Sequence, residues 1–159
     1  MAELRETLVA FDFDGTLTSS DSFLPFMRSL VSAPVWVLRI SGLLPAMIAY
    51  GLGLMSIRRI KTLFSRRFLA GMDAARLERA AERYAREVLP KITNAAAYER
   101  FQAHIAAGHR VVIVSANLEL YIADWARHHG VEETLATRLE IRDGKLKGVA
   151  SGSRLEVGP

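Results

Sequence analysis

Two carboxylates, Asp12 and Asp14, stand at alternate positions in the string Asp12-Phe13-Asp14-Gly15-Thr16-Leu17-Thr18, directly after the apolar run Leu8-Val9-Ala10-Phe11. Where a strand ends, residues i and i+2 project to the same side, so both acids can enter one crevice while Phe13 packs the other way. Their mutual repulsion is relieved by a cation. Magnesium suits such a place, because it is hard, oxygen-seeking and commonly held by one or two carboxylates plus waters and a phosphate. Gly15 lets the chain turn sharply, and Thr16 offers a hydroxyl and an N–H to a phosphate oxygen. An isolated Asp-x-Asp, by contrast, describes a solvated turn or a helix cap equally well. A second polar cluster, Ser115-Ala116-Asn117, follows a second apolar run, Val111-Val112-Ile113-Val114. If these residues sit at a helix N-terminus, the Ser115 hydroxyl and the N–H groups of Ala116 and Asn117 favour an anion; Ser115 alone reads equally as an N-cap.

The elements that must position these residues are legible from periodicity. Both apolar runs are short and continuous, as in strands buried on both faces of a parallel sheet, and ligands of open α/β sheets sit at the carboxyl ends of such strands. Between them the sequence is mostly helical. Leu77, Ala81, Tyr84 and Val88 recur at helical spacing behind a candidate N-cap, Asp73, with Pro90 just beyond the end. Tyr98, Phe101 and Ile105 mark a further helix that Gly108 should close in a left-handed conformation. Leu118, Tyr121, Ile122 and Trp125 mark another, closed by Gly130. From Ala136 to Val149 the pattern alternates around Asp143-Gly144, which predicts a β-hairpin. Residues 153–159 read as a loose tail.

Composition bounds the partners. Of 159 residues half are apolar and 24% charged, the range of a globular chain with one core or a small core plus an inserted subdomain. Cysteine is absent, which removes disulfides, thiolate ligands and a cysteine nucleophile, and fits a reducing compartment. The first residues carry two acids and no apolar run of signal length, so a cytoplasmic location is expected. The net charge is +4 and the pI about 9.8. The basic clusters Arg58-Arg59-Ile60-Lys61 and Arg66-Arg67 lack the interleaved aromatics that stack bases, so nucleic acid is not an expected partner. His104, His109, His128 and His129 lack metal-ligand spacing and read as surface or capping groups.

From Ile40 to Ile57 no residue is charged over 18 positions, the lower limit for a membrane span. A single crossing would place the Asp12 and Ser115 strands on opposite sides of a bilayer, and Gly42, Pro45, Gly51 and Gly53 divide the stretch. The expectation is short helices that are buried or self-associating, with peripheral membrane contact through 31–57 as the alternative.

Taken whole, the string Asp-Phe-Asp-Gly-Thr-Leu-Thr resembles the first motif of the haloacid dehalogenase superfamily, and Val112 to Asn117 resembles its second. The helical insertion, Ala107-Gly108-His109-Arg110-Val111-Val112 and the hairpin around Asp143-Gly144 resemble subfamily IB, which includes the phosphoserine phosphatases. The resemblance implies an α/β fold: a Rossmann-like parallel-sheet core from 1–18 and 100–152, a helical cap from 19–99, and C-terminal core strands missing. It further implies a magnesium-dependent phosphomonoester hydrolase acting on a small phosphorylated substrate. Asp12 would be the nucleophile, forming an aspartyl-phosphate, and Asp14 the general acid and base. The Asp12 carboxylate and the Asp14 carbonyl would hold Mg2+. Gly15, Thr16, Ser115, Ala116 and Asn117 would bind phosphate. Asp21 lies where phosphoserine phosphatases carry a glutamate that engages the substrate amine, although it could equally cap the helix beginning near Ser22. Arg58 or Arg59 is a candidate for a substrate carboxylate.

The resembled family also has a lysine motif and an acidic motif after the hairpin, and neither is matched before Pro159. The expectations are low turnover by this chain and an exposed apolar edge at the Asp12 strand that invites homo-oligomerisation. The competing reading is a non-catalytic module that binds a partner chain or a membrane surface.

Overall fold

The computed structural model describes residues 7–149, and the side chains of those up to 146; the loose tail expected at 153–159 lies outside them. Strand β1 (Leu8–Asp12) is followed by five helices: α1 (Phe23–Ser29), α2 (Ala33–Ser41), α3 (Leu44–Gly51), α4 (Ile57–Leu69) and α5 (Ala74–Glu87). A 3-10 turn (Leu89–Ile92) leads into α6 (Ala95–Ala106), and then come β2 (Arg110–Leu118), α7 (Glu119–His128), β3 (Glu133–Thr137), β4 (Leu139–Arg142) and β5 (Lys145–Val149). The described strands form a parallel sheet in the order β1-β2-β3 and a separate antiparallel pair, β4-β5. The α/β class is as expected.

Local chemistry accounts for most boundaries. The Asp73 carboxylate accepts the Arg76 N–H at 2.9 Å and caps α5. Gly108 (φ 71°) and Gly130 (φ 80°) end α6 and α7 in the left-handed region. Asp143 (φ 53°) and Gly144 (φ 69°) form the two-residue turn joining β4 to β5, as the twist of a hairpin requires. Pro45 cannot donate to the helix ladder and crowds the carbonyl four residues back, so the apolar stretch breaks between α2 and α3. Among the described residues no single helix is long and apolar enough to cross a membrane; α2 and α3 reach that length only together, and they are bent by 60°.

Three expectations need correction. First, β1 is not buried on both faces: Phe11 packs edge-on to Phe101 of α6 at 5.4 Å, whereas Leu8 is 61% exposed and Ala10 is exposed. The physical reason is position, since among the described residues β1 is the sheet's edge and only one of its faces is covered by a helix. Second, the third parallel strand, β3, was not among the expected elements; Glu133-Thr134-Leu135-Ala136-Thr137 has too little apolar content to stand out, and its pairing with β2 defines it. Third, α2 and α3 contain no buried residue. The chain there is anchored by Leu43 at the elbow and by Trp36 against Phe68 at 4.9 Å.

The core that backs the sheet's carboxyl end is aromatic. Phe26 packs on Tyr121 at 4.8 Å and on Tyr84 at 5.1 Å, and Phe13 meets Trp125 edge-on at 5.3 Å. Helix α5 therefore joins the insertion to α7, and the hairpin strand β5 lies against the end of α4, with Gly71 donating to the Leu146 carbonyl at 3.0 Å.

Candidate active site

Parallel pairing of β1 with β2 sets Asp12 beside Val114, so the two polar strand ends meet at one edge of the sheet. Phe13 is fully buried on the far side, as alternation requires. Gly15 adopts φ 83°, a left-handed turn that carries the chain away from the strand and leaves the Asp14 side chain facing β2. The Ser115 hydroxyl donates to Asp14 Oδ2 at 3.1 Å across 101 residues of sequence.

The other Asp14 oxygen is held more tightly. Ser22 donates to Oδ1 twice, from its backbone N–H at 2.7 Å and from its hydroxyl at 2.6 Å. Ser22 is itself fully buried, with the Tyr121 hydroxyl 3.0 Å from its Oγ and the Tyr84 hydroxyl donating to its carbonyl at 2.9 Å. An ionised carboxylate only accepts, so the Ser22 hydroxyl proton goes to Asp14 and Tyr121 must donate to Ser22. Both tyrosines have their pKa raised, by burial first and then by the negative charge of Asp14, which keeps them neutral donors.

Asp12 is less constrained. Its Oδ1 accepts the Phe13 N–H at 2.9 Å and its Oδ2 the Thr16 hydroxyl at 3.4 Å. A cavity of about 790 Å³ opens in front of it. Asp12, Asp14, Gly15, Ser115, Ala116 and Asn117 all line this cavity; Thr16 touches Asp12 from outside it. The opposite walls are apolar and come from the helical insertion: Phe23 and Leu24 of α1, Met47 and Tyr50 of α3, and Ile60 and Phe64 of α4.

Ser115, Ala116 and Asn117 do not lie in a helix's first turn. Strand β2 continues to Leu118, with an irregular register between Val114 and Leu118, and α7 starts at Glu119. The Asn117 N–H is turned back to Ser115 Oγ at 3.0 Å. The expected use of a helix dipole at these N–H groups is thereby corrected: pairing of Leu118 with Thr137 keeps the segment extended.

Asp21 caps α1 and also lines the cavity. Its Oδ2 accepts the N–H groups of Phe23 and Leu24 at 3.1 and 3.2 Å, capping α1, and its Oδ1 faces the cavity, where Asn117 Nδ2 lies at 3.3 Å and Lys61 Nζ at 3.5 Å. Lys61 also donates to the Asn117 side-chain oxygen. Arg58 and Arg59 are exposed and line no part of the cavity. Lys61 was passed over although a signal for it exists. At about 100° per residue, the buried Ile60, Phe64 and Phe68 mark the inner face of α4; Lys61 falls about 60° from their mean direction, Arg58 about 120° and Arg59 about 140°. Ser22 was missed because nothing local separates it from any serine at a helix start.

Among the described residues no group of three or more acids or histidines converges as a metal cage. His128 and His129 bond the backbone carbonyls of Asp124 and Trp125 at 2.7 Å, and His104 Nδ1 lies 2.8 Å from His109 Nδ1. The Asp12 and Asp14 oxygens still fit Mg2+ on chemical grounds, being hard donors at the lip of a cavity with room for waters and a phosphate.

Known proteins place this architecture. The model of the haloacid dehalogenase-like hydrolases matches residues 9–158. Protein CicA of Caulobacter vibrioides is 35% identical over 147 residues, covering 92% of this chain and 65% of the relative, so the chain spans somewhat less than two thirds of that protein. A solved structure of a Bordetella pertussis protein of unknown function superposes with a TM-score of 0.73 at 24% identity, covering 92% of this chain and 67% of the other. A phosphoserine phosphatase solved as a phospho-aspartyl intermediate analogue gives 0.58 at 22% identity, covering 91% and 62%. The two structural likenesses establish the fold, and the matched family model, which spans most of the chain, establishes the lineage: this chain belongs to the haloacid dehalogenase-like hydrolases.

Proposed function

We propose that the protein hydrolyses phosphomonoesters, with Asp12 as nucleophile and Asp14 as general acid and base, beneath a cap formed by residues 19–99. The observation that carries this reading is the convergence on Asp14 of Ser22 and Ser115, which aims a fixed carboxylate into a cavity beside a freer one, Asp12. With Asp14 in its protonated form, an Asp12 oxygen attacks phosphorus and the ester oxygen leaves with that proton, which ionises Asp14. Asp14 then takes a proton from water, whose oxygen attacks the aspartyl-phosphate, releasing phosphate and restoring Asp12. Mg2+, held by the Asp12 carboxylate and the Asp14 carbonyl, would offset the repulsion between carboxylate and phosphoryl oxygens. Lys61, which lines the cavity, would offset the phosphate's charge, and the Ser115 hydroxyl would turn from Asp14 to donate to it.

The walls speak to the leaving group. The carboxylate that could take a substrate amine, Asp21, already has the Lys61 ammonium beside it, and the remaining walls are apolar. A phosphomonoester with an apolar leaving group fits better than phosphoserine. A cysteine-free chain suits the reducing cytoplasm. The test is hydrolysis of p-nitrophenyl phosphate with Mg2+, set against phosphoserine. The expected outcome is turnover of the aryl ester that falls to background in Asp12→Asn and on chelation; turnover that survives Asp12→Asn refutes the assignment, and none by the wild type supports the non-catalytic alternative.

A further inference from the structure

The helices α2 and α3 present to solvent what most chains bury. Val37, Leu38, Ile48, Leu52 and Leu54 are between 62 and 78% exposed, while the inner side of the same hairpin is anchored by Trp36 and Leu43. Large apolar side chains exposed in such number on one short segment mark an interaction site.

Charge decides the partner. Between Asp21 and Asp73 there is no acidic residue, and there are seven basic ones, so this segment carries +7 and the rest of the chain −3, from a total of +4. Three of its guanidinium groups lie against the hairpin. Arg28 sits over the Trp36 ring at 5.9 Å, Arg39 lies over Phe68 and donates to its carbonyl at 2.8 Å, and Arg67 lies across Gly42 at the elbow, 2.8 Å from where a Cβ would stand. Among the described residues none of the segment's six arginines is paired with a carboxylate. A second copy joined through the same face would bring +7 against +7. A bilayer with anionic headgroups accepts the apolar side chains and neutralises the arginines of the same segment.

We propose that the α2–α3 hairpin docks on an anionic lipid surface. Met47 and Tyr50 of α3 line the cavity and are themselves partly exposed, so docking brings the cavity's apolar wall to the interface. The inference does not depend on the catalytic reading, because its test reads no turnover.

The experiment is flotation of the 159-residue chain with phosphatidylcholine vesicles and with vesicles containing phosphatidylglycerol, at low and high salt. The chain should float with the anionic vesicles at least about tenfold better than with neutral ones and lose that preference at high salt. Leu38→Asp with Ile48→Asp, and separately Arg28→Gln with Arg67→Gln, should each cut the bound fraction about tenfold; circular dichroism shows whether either pair is folded. Absence of flotation overturns the proposal, as does equal, salt-insensitive binding to neutral vesicles. A folded variant that floats like wild type overturns it too. A dimer seen by light scattering without vesicle association gives the face to a second copy instead.

Discussion

Replacing Ser22 by alanine tests whether the Tyr121–Ser22–Asp14 relay is the support the geometry suggests. The substitution removes a fully buried hydroxyl that donates to Asp14 Oδ1 at 2.6 Å and accepts from Tyr121 at 3.0 Å. Asp14 keeps the Ser22 N–H, which alanine retains, so only one of its donors is lost at that oxygen. A hydrogen bond to an ionised group contributes about 1.5–3 kcal/mol, and the Tyr121 hydroxyl left without an acceptor costs about 1–3 kcal/mol more. We expect Ser22→Ala to destabilise the fold by about 3 kcal/mol and Tyr121→Phe, which leaves Ser22 bonded to Asp14, by about 1 kcal/mol. In the double variant no hydroxyl is orphaned, so the loss should be about 2 kcal/mol and not the sum of about 4. Urea unfolding followed by tryptophan fluorescence measures all three; of the two tryptophans, Trp125 packs on Phe13 and reports the core. If the double variant equals the sum within about 0.5 kcal/mol, the two hydroxyls are not coupled and the relay is refuted.

Lys61→Met should raise KM for an aryl phosphate about tenfold while Arg58→Ala and Arg59→Ala leave it unchanged, since only Lys61 lines the cavity; steady-state kinetics decides, and an equal effect of the arginines would reverse the assignment. Gly15→Ala meets no atom within 4 Å, so its cost should come from φ 83° alone, about 1–2 kcal/mol by urea midpoint, with loss of activity as Asp14 shifts. The raised pKa values of Tyr84 and Tyr121 make stability fall as pH climbs above the ordinary phenol value of 10.0, because the unfolded chain releases protons there that the native state retains. Below that pH their contribution is complete. Urea midpoints measured upward from pH 9 should decline, and Tyr121→Phe should flatten the slope.

Much of this molecule follows from neighbours along the chain. The strand end at Asp12, the Asp73 cap, the glycine stops at 108 and 130 and the Asp143-Gly144 turn each depend on φ preferences and on hydrogen bonds spanning a few residues, which are visible in the string itself. The motif acids were legible for the same reason, since alternation at a strand end puts Asp12 and Asp14 on one side whatever else the chain does. Other features depend on distance. Ser22 gains its role from Tyr84 and Tyr121, 62 and 99 residues away. Lys61 enters the cavity because its neighbours Ile60 and Phe64 are buried, and β3 exists because β2 offers it a ladder. The apolar stretch between α2 and α3 was equally compatible with burial and with a surface. Only packing decided that Trp36 and Leu43 face inward while Leu38 and Ile48 face out, because a uniformly apolar helix has no polar face by which sequence could tell its sides apart.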